Sequence, residues 1–282
     1  MTIKRSILIP GLAGVMILSA CNMSTGGRPL MGGNIGRDNA DKTEIRVGKD
    51  EIADTGEMVL PALRPSSGEQ ILRRTAYTAS YNKNTRLPNW VAWQLTADHT
   101  DGPHKRKGLK FREDEDVPEP RATDWDYYNS GYDRGHMCPS GDCKWSAEAQ
   151  LESFLFTNAC PQVHGLNAGD WNEMEQQCRR WAEKYGRLYI VSGPIIYKGN
   201  SKTIGRNKVV VPEAFFKVVL RLGDNPRAIG FIYKNKSGNR PKGDYVNTVD
   251  EVERITGFDF FPALPDDVED RVEAEADIEE WL

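Results

Sequence analysis

The tetrapeptide Asp133-Arg134-Gly135-His136 sets an imidazole beside a carboxylate, a guanidinium and a residue with no side chain. A histidine titrating near neutrality can accept a proton in a reaction. The Arg134 fork is suited to holding a phosphate oxygen, and Gly135 lets a backbone or a substrate come close. A second cluster holds Asn158, Asn167, Trp171 and Glu175. On an ideal helix Asn167, Trp171, Glu175, Cys178 and Trp181 fall within about 120° of one another, because each residue advances by about 100°. A face that served packing alone would carry Leu, Ile or Val. Here an amide and a carboxylate share it with two tryptophans and a cysteine. Oxygens from Asn and Glu are the hard ligands that Mg²⁺ accepts, usually with retained waters. The competing structural reading makes Asn167 a helix cap, Glu175 a salt-bridge partner and His136 an ordinary surface or core residue.

Residues 74–81 and 90–96 read as strands joined by the turn-rich NKNTRLPN. Residues 100–130 are polar and suggest a surface excursion, 154–157 a short strand, and 167–185 a helix. Further strands are expected over 187–196, 208–211, 215–220 and 228–233, and a helix over 248–256. The strands outnumber the helices, and most links are too short for parallel crossovers. The expected class is α+β, with a largely antiparallel central sheet flanked by helices.

The chain has 282 residues, 39% hydrophobic and 28% charged, which excludes a disordered chain, a coiled coil and a polytopic membrane protein. The net charge of −4 is unevenly spread: residues 265–282 hold nine acidic residues and one Arg, whereas residues 21–264 carry +2. Acidity of the whole therefore does not exclude a nucleic-acid partner. The last 18 residues read as an acidic, solvated tail.

Residues 1–20 combine Lys4 and Arg5, an apolar stretch and small residues, the pattern of a secretory signal peptide. Leu18-Ser19-Ala20-Cys21 resembles a bacterial lipobox, which implies cleavage before Cys21, a lipid on that residue, and membrane anchoring in the bacterial cell envelope on a face the sequence does not specify. Residues 21–66 then form the lipidated Cys and a Gly-rich tether, and the folded domain covers 67–264. Cys138, Cys143, Cys160 and Cys178 remain; in an oxidising compartment two disulfides are expected, with three connectivities open. A four-thiolate zinc site is the alternative, although the paired C-x-x-C spacing is missing.

Taken together, the motifs resemble the DNA/RNA non-specific endonuclease family, the ββα-metal nucleases that include mitochondrial endonuclease G. Asp133–His136 matches the family's signature. Asn158, Pro161-Gln162, Asn167, Trp171 and Glu175 match its second block in order and spacing. Val191-Ser192-Gly193-Pro194, Val211-Pro212 and Phe215-Phe216-Lys217-Val218 match two later blocks, and Asn89–Ala92 fits a strand seen in relatives. The resemblance spans roughly residues 70–262. It implies the ββα-metal nuclease fold and hydrolysis of phosphodiester bonds in DNA and RNA to 5′-phosphorylated products. His136 would be the general base that activates water. Asn167 would ligate one Mg²⁺ (Mn²⁺ being the alternative), and Glu175 would orient metal-bound water. Arg134 would bind phosphate or support the site, and Asn158 would help position it. A transition-state arginine is expected from the preceding loop, Arg106 fitting best and Arg112 next. Asp133 would be structural, and disulfides around the two blocks would pin the His136 segment to the helix of Asn167 and Glu175. DNA and RNA are the implied partners; because some family members are homodimers, a second copy of the chain is another. An inactive nucleic-acid-binding or structural lipoprotein is the alternative function.

Overall fold

In the computed structural model the described residues are 60–62, 69–197, 199 and 202–282. The expected leader, Cys21 and most of the linker lie outside them. Eleven strands are present among these residues: β1 (Glu69–Arg73), β2 (Thr78–Asn82), β3 (Leu87–Thr96), β4 (Asp133–His136), β5 (Ala159–Gln162), β6 (Arg187–Ile195), β7 (Thr203–Ile204), β8 (Val209–Val210), β9 (Ala214–Arg221), β10 (Arg227–Lys234) and β11 (Val246–Asn247). The helices are α1 (Asp124–Tyr127), α2 (Ala147–Glu152), α3 (Asn172–Tyr185), α4 (Val249–Thr256) and α5 (Asp266–Ala274). Seven strands form one sheet in the order β1-β2-β3-β6-β9-β10-β11, and every pairing in it is antiparallel. The structure thus has the expected α+β class. Among the described residues no helix is long and apolar enough to cross a membrane.

The strands β3, β6 and β9 read as nearly unbroken apolar runs because both faces of the sheet are covered. Alternate residues point to opposite faces. Val91, Trp93, Leu188, Ile190, Phe215 and Val219 meet Trp171, Met174, Cys178 and Trp181 from the α3 side. Trp90, Ala92, Val191, Phe216, Val218 and Leu220 meet Val249 and Val252 of α4 and Val268 and Val272 of α5. The sheet therefore separates two apolar layers. Helix α4 is capped by the Thr248 hydroxyl, which accepts from Glu251 N at 3.1 Å. It stops at Gly257 in the left-handed region, φ 74°.

Three local expectations change. The strand expected over 74–81 is the second half of a hairpin, because Arg74 turns away to bond Asp114 and Asp116. The strand expected over 154–157 is a single tight turn, and extended pairing starts at Ala159. The acidic segment 265–282, expected to be solvated, is folded: α5 buries Val268 and Val272, and Trp281 is buried against Trp181 with ring centroids 4.8 Å apart. Most of its acidic residues lie on the exposed side of an amphipathic segment, Glu273 being the buried exception, so charge content alone hid the apolar positions.

Candidate active site

Strands β4 and β5 pair as a separate two-stranded ribbon. Chain direction then reverses into a wide helical turn, Leu166–Trp171, which runs into α3. Ribbon and helix make a ββα unit packed on the first face of the large sheet. In the ribbon Gly135 sits opposite Cys160 and His136 opposite Ala159. A Cβ at residue 135 would lie 2.1 Å from Gln162 Oε1 and 2.8 Å from Gln162 Cβ, so glycine lets the strands cross here without displacing the Gln162 side chain.

His136 is 8% exposed. Its ring lies between Phe111, at 4.7 Å, and the edge of Phe154, at 5.0 Å. Burial lowers its pKa from 6.5 to about 3, and the Arg106 charge adds to the shift. The imidazole is therefore neutral at pH 7, and its Nε2 is buried without a hydrogen-bond partner. Its main chain is fixed from both sides. Trp171 Nε1 donates to His136 O at 3.1 Å, and Met137 N donates to Asn158 O at 2.9 Å.

Asn158 is fully buried and acts as a clamp. Its Oδ1 accepts from Cys138 N at 2.9 Å, while Nδ2 donates to Cys138 O at 2.8 Å and Ser153 O at 2.9 Å. Its contribution is to hold the segment that follows His136, with both ends of the amide committed to backbone.

Asn167 is not a helix cap. Its Nδ2 donates to Asp133 Oδ2 at 2.9 Å, and the same oxygen meets His164 Nδ1 at 2.8 Å. The bond to Asp133 fixes which end of the amide is spent, and Oδ1 keeps no partner among the described residues. Gly169 leaves helical geometry within this turn (φ −101°, ψ −115°), so Asn167 and Glu175 are not related by ideal α-helical spacing. Glu175, on the first turn of α3, makes no hydrogen bond or ion pair among the described residues. Burial raises its pKa from 4.5 to about 7, against the opposing charge of Lys217. The salt bridge of the structural reading is thus absent. One amide oxygen and one carboxylate, both hard and uncommitted, fit a Mg²⁺ or Mn²⁺ ion that keeps several waters.

The two candidate loop arginines are separated by the fold. Arg106 lies over the Phe154 ring at 5.6 Å and acts electrostatically on both His136 and Glu175. Arg112 is exposed and lines a different cavity of about 690 Å³ with Arg74, Asp114 and Arg121. Arg134 is half-buried, donates from Nε to Asp124 Oδ1 at 2.8 Å and rests on the Tyr127 ring. Beside it Trp125 is 80% exposed, with Tyr128 packed edge-on at 5.6 Å, whereas Tyr127 is buried.

The expected disulfides are absent. All four cysteines are free and buried. Only the Cys138 and Cys143 sulfurs approach one another among the described residues, at 3.8 Å, and both belong to the His136 segment. No disulfide pins that segment to α3; the Trp171 indole, at the entry to α3, holds it by donating to His136 O, and Asn158 ties it to the turn before β5. Burial holds the Cys138 and Cys160 thiols well above their usual range and pushes Cys178 up to about 12, so they pack as small neutral side chains.

Sequence reading missed Lys217 as a site element. It is fully buried, with Nζ 4.5 Å from the centroid of Trp171 and 4.8 Å from that of Trp93. Its charge opposes the upward shift of Glu175. The signal was a lysine inside the apolar run Phe215–Leu220. Asp142 was also missed; it accepts from Arg179 Nη1 at 2.8 Å and Trp93 Nε1 at 3.1 Å.

Comparison with known proteins agrees with this arrangement. Residues 54–267 match the model of the DNA/RNA non-specific endonuclease family. Mitochondrial nuclease EXOG of Danio rerio is 38% identical over 216 residues, covering 71% of this chain and 63% of the relative, so the chain spans less than two thirds of that protein. Human mitochondrial endonuclease G is 32% identical over 209 residues, covering 69% of this chain and 70% of the relative. A crystal structure of an EndoG/EndoGI complex superposes with a TM-score of 0.69 at 27% identity, covering 76% of this chain and 92% of that one. With the ββα unit and its signature residues in place, the chain belongs to the DNA/RNA non-specific endonuclease family.

Proposed function

We propose that the protein is a metal-dependent, sugar-non-specific endonuclease that hydrolyses phosphodiester bonds of DNA and RNA and leaves 5′ phosphates. The observation that carries this reading is the neutral His136 ring, set in one ββα unit with the uncommitted oxygens of Asn167 and Glu175.

Attack on a phosphodiester is opposed by the substrate's negative charge. A bound Mg²⁺ would supply neutralisation of the phosphoryl oxygens and stabilisation of the leaving alkoxide. Asn167 Oδ1 would hold it directly, and Glu175 would hold its water shell. His136 accepts the proton of the attacking water on its imidazole. The apolar walls of Phe111 and Phe154 keep the ring unprotonated before substrate binds, and the phosphate's negative charge then raises its basicity. Arg106 faces the same space and stabilises charge developing on the phosphoryl oxygens. None of these groups reads a base edge, which accounts for activity on both sugars with little sequence preference. Residues 1–20 and Leu18-Ser19-Ala20-Cys21 support export and lipid attachment at Cys21.

The full chain, extracted in mild detergent, is incubated with plasmid DNA and a structured RNA, in Mg²⁺ and in EDTA, beside His136→Ala. Cleavage of both substrates should require the metal and vanish in the variant. Nucleic-acid binding without cleavage by the folded parent would sink the catalytic reading and leave a binding protein.

A further inference from the structure

On the other face of the sheet from His136, helices α4 and α5 bring carboxylates together. Asp250 and Glu253 stand three residues apart on α4, and Glu273 comes from the last turn of α5. One oxygen of each lies within 4.8 Å of the other two. Glu253 Oε1 accepts from Phe260 N at 2.6 Å, which fixes that side chain where the chain turns between the helices. Glu273 is only 6% exposed, and its Oε1 has no hydrogen-bond partner. A carboxylate left unpaired in the interior carries a large desolvation cost and requires a positive partner or a proton. Among the described residues no cation pairs with the Glu273 carboxylate: Arg254 is engaged with Glu251 at 2.6 Å, and Arg271 makes no ion pair. Glu269, one turn before Glu273 on α5, also has a buried unpartnered oxygen.

We propose that Asp250, Glu253 and Glu273 form a structural divalent-cation site of the calcium class, which fastens the acidic C-terminal segment to the sheet. The donors are oxygen only, as a hard cation prefers. They come from two separate helices without an enclosing cage, which suits the larger and more flexible coordination sphere of Ca²⁺ over the strict octahedron of Mg²⁺. Asp250 is solvent-exposed and gives the ion a path in. The ion would cross-link α4 to α5, a segment otherwise held through Val268, Val272 and Trp281. This site is independent of the nuclease reading, because the central sheet lies between it and Asn167.

The rival state is a protonated cluster: without a cation, burial and then the neighbouring carboxylates push Glu273 up to about 9. Calorimetric titration with CaCl₂ and thermal melts of the metal-stripped full chain separate the two. The parent, Asn167→Ala, Asp250→Asn and Glu273→Gln are compared. The site should bind Ca²⁺ with a dissociation constant on the order of 10⁻⁴–10⁻³ M, as extracellular modules do. At saturation the melting temperature should rise by about 3–6 °C. Both effects should persist in Asn167→Ala and shrink at least about tenfold in affinity in Asp250→Asn, which alters an exposed residue and leaves the fold intact. Binding that disappears in Asn167→Ala and survives in Asp250→Asn would place the ion at the active site and overturn the proposal. A folded parent that shows no heat and no thermal shift with Ca²⁺, but gains stability as pH falls, would overturn it in favour of the protonated cluster.

Discussion

Removing the Asp133 carboxylate tests how the candidate metal ligand is oriented. Asp133 Oδ2 accepts a hydrogen bond from Asn167 Nδ2 at 2.9 Å and so leaves Asn167 Oδ1 as the coordinating end. A hydrogen bond to a charged acceptor contributes about 1.5–3 kcal/mol. Asp133 is one-third exposed, so solvent competition favours the lower half of that range. In Asp133→Ala the Asn167 amide is free to rotate, and that loss appears as weaker metal binding. About 1.5–2.2 kcal/mol corresponds to a ~13–40-fold increase in the Mg²⁺ concentration giving half-maximal cleavage. The rate at saturating Mg²⁺ should change much less, because His136 and Arg106 are untouched. Initial rates of plasmid relaxation across a Mg²⁺ series measure both quantities. His164→Ala is the control, since this exposed ring shares the same carboxylate oxygen without orienting Asn167. A midpoint in Asp133→Ala within about twofold of the parent would refute the argument that this bond positions the ligand.

Arg106→Ala should lower the cleavage rate by about 10²–10³-fold, as loss of one charge-stabilising donor does, while Arg112→Ala should leave it nearly unchanged; equal losses in single-turnover rates would contradict their separation. Glu175 ionises near pH 7, above its usual range, so its carboxylate fraction falls as pH drops through about 7. Rates at subsaturating Mg²⁺ should therefore decline on the acid side, and Glu175→Gln, slower throughout, should lack that limb; an identical limb in the variant assigns it elsewhere. Trp281→Ala should destabilise the domain by about 3–5 kcal/mol in denaturant unfolding, because a buried ring packed on Trp181 and Arg221 is deleted. Phe154→Ala opens one wall of His136, so the imidazole pKa should rise from about 3 toward 6.5, observable by NMR titration of the ring; no movement would mean Phe154 is not what excludes water.

Much of the scaffold was legible in the linear chain because its signals are local. Alternating and continuous apolar runs located β3, β6, β9 and β10 to within a few residues. The Thr248 cap and Gly257 bracket α4 at the positions where a helix start and stop are chemically marked. The chemistry-bearing side chains were visible as types out of place: a histidine in a charged tetrapeptide, and an amide and a carboxylate on a face with tryptophans. Residues 1–20 and Cys21 were readable only as a leader and a lipobox, and they lie outside the described structure.

Other features depend on residues far apart in sequence meeting in space. Nothing near Asn167 in the chain says that its amide is held by Asp133, 34 residues earlier. The choice between Arg106 and Arg112 rests on which one the loop brings to Phe154 and His136. The four cysteines invited disulfides by count and compartment, yet a disulfide needs two sulfurs at bonding distance, and packing left all four as buried thiols. Lys217 owes its buried position to two tryptophans from β3 and the turn before α3. The C-terminal acids likewise read as solvated charge until α5 docked on the sheet. Composition and period are properties of neighbours along the chain, whereas burial, pairing and the pKa values they impose are set by whatever the fold places alongside.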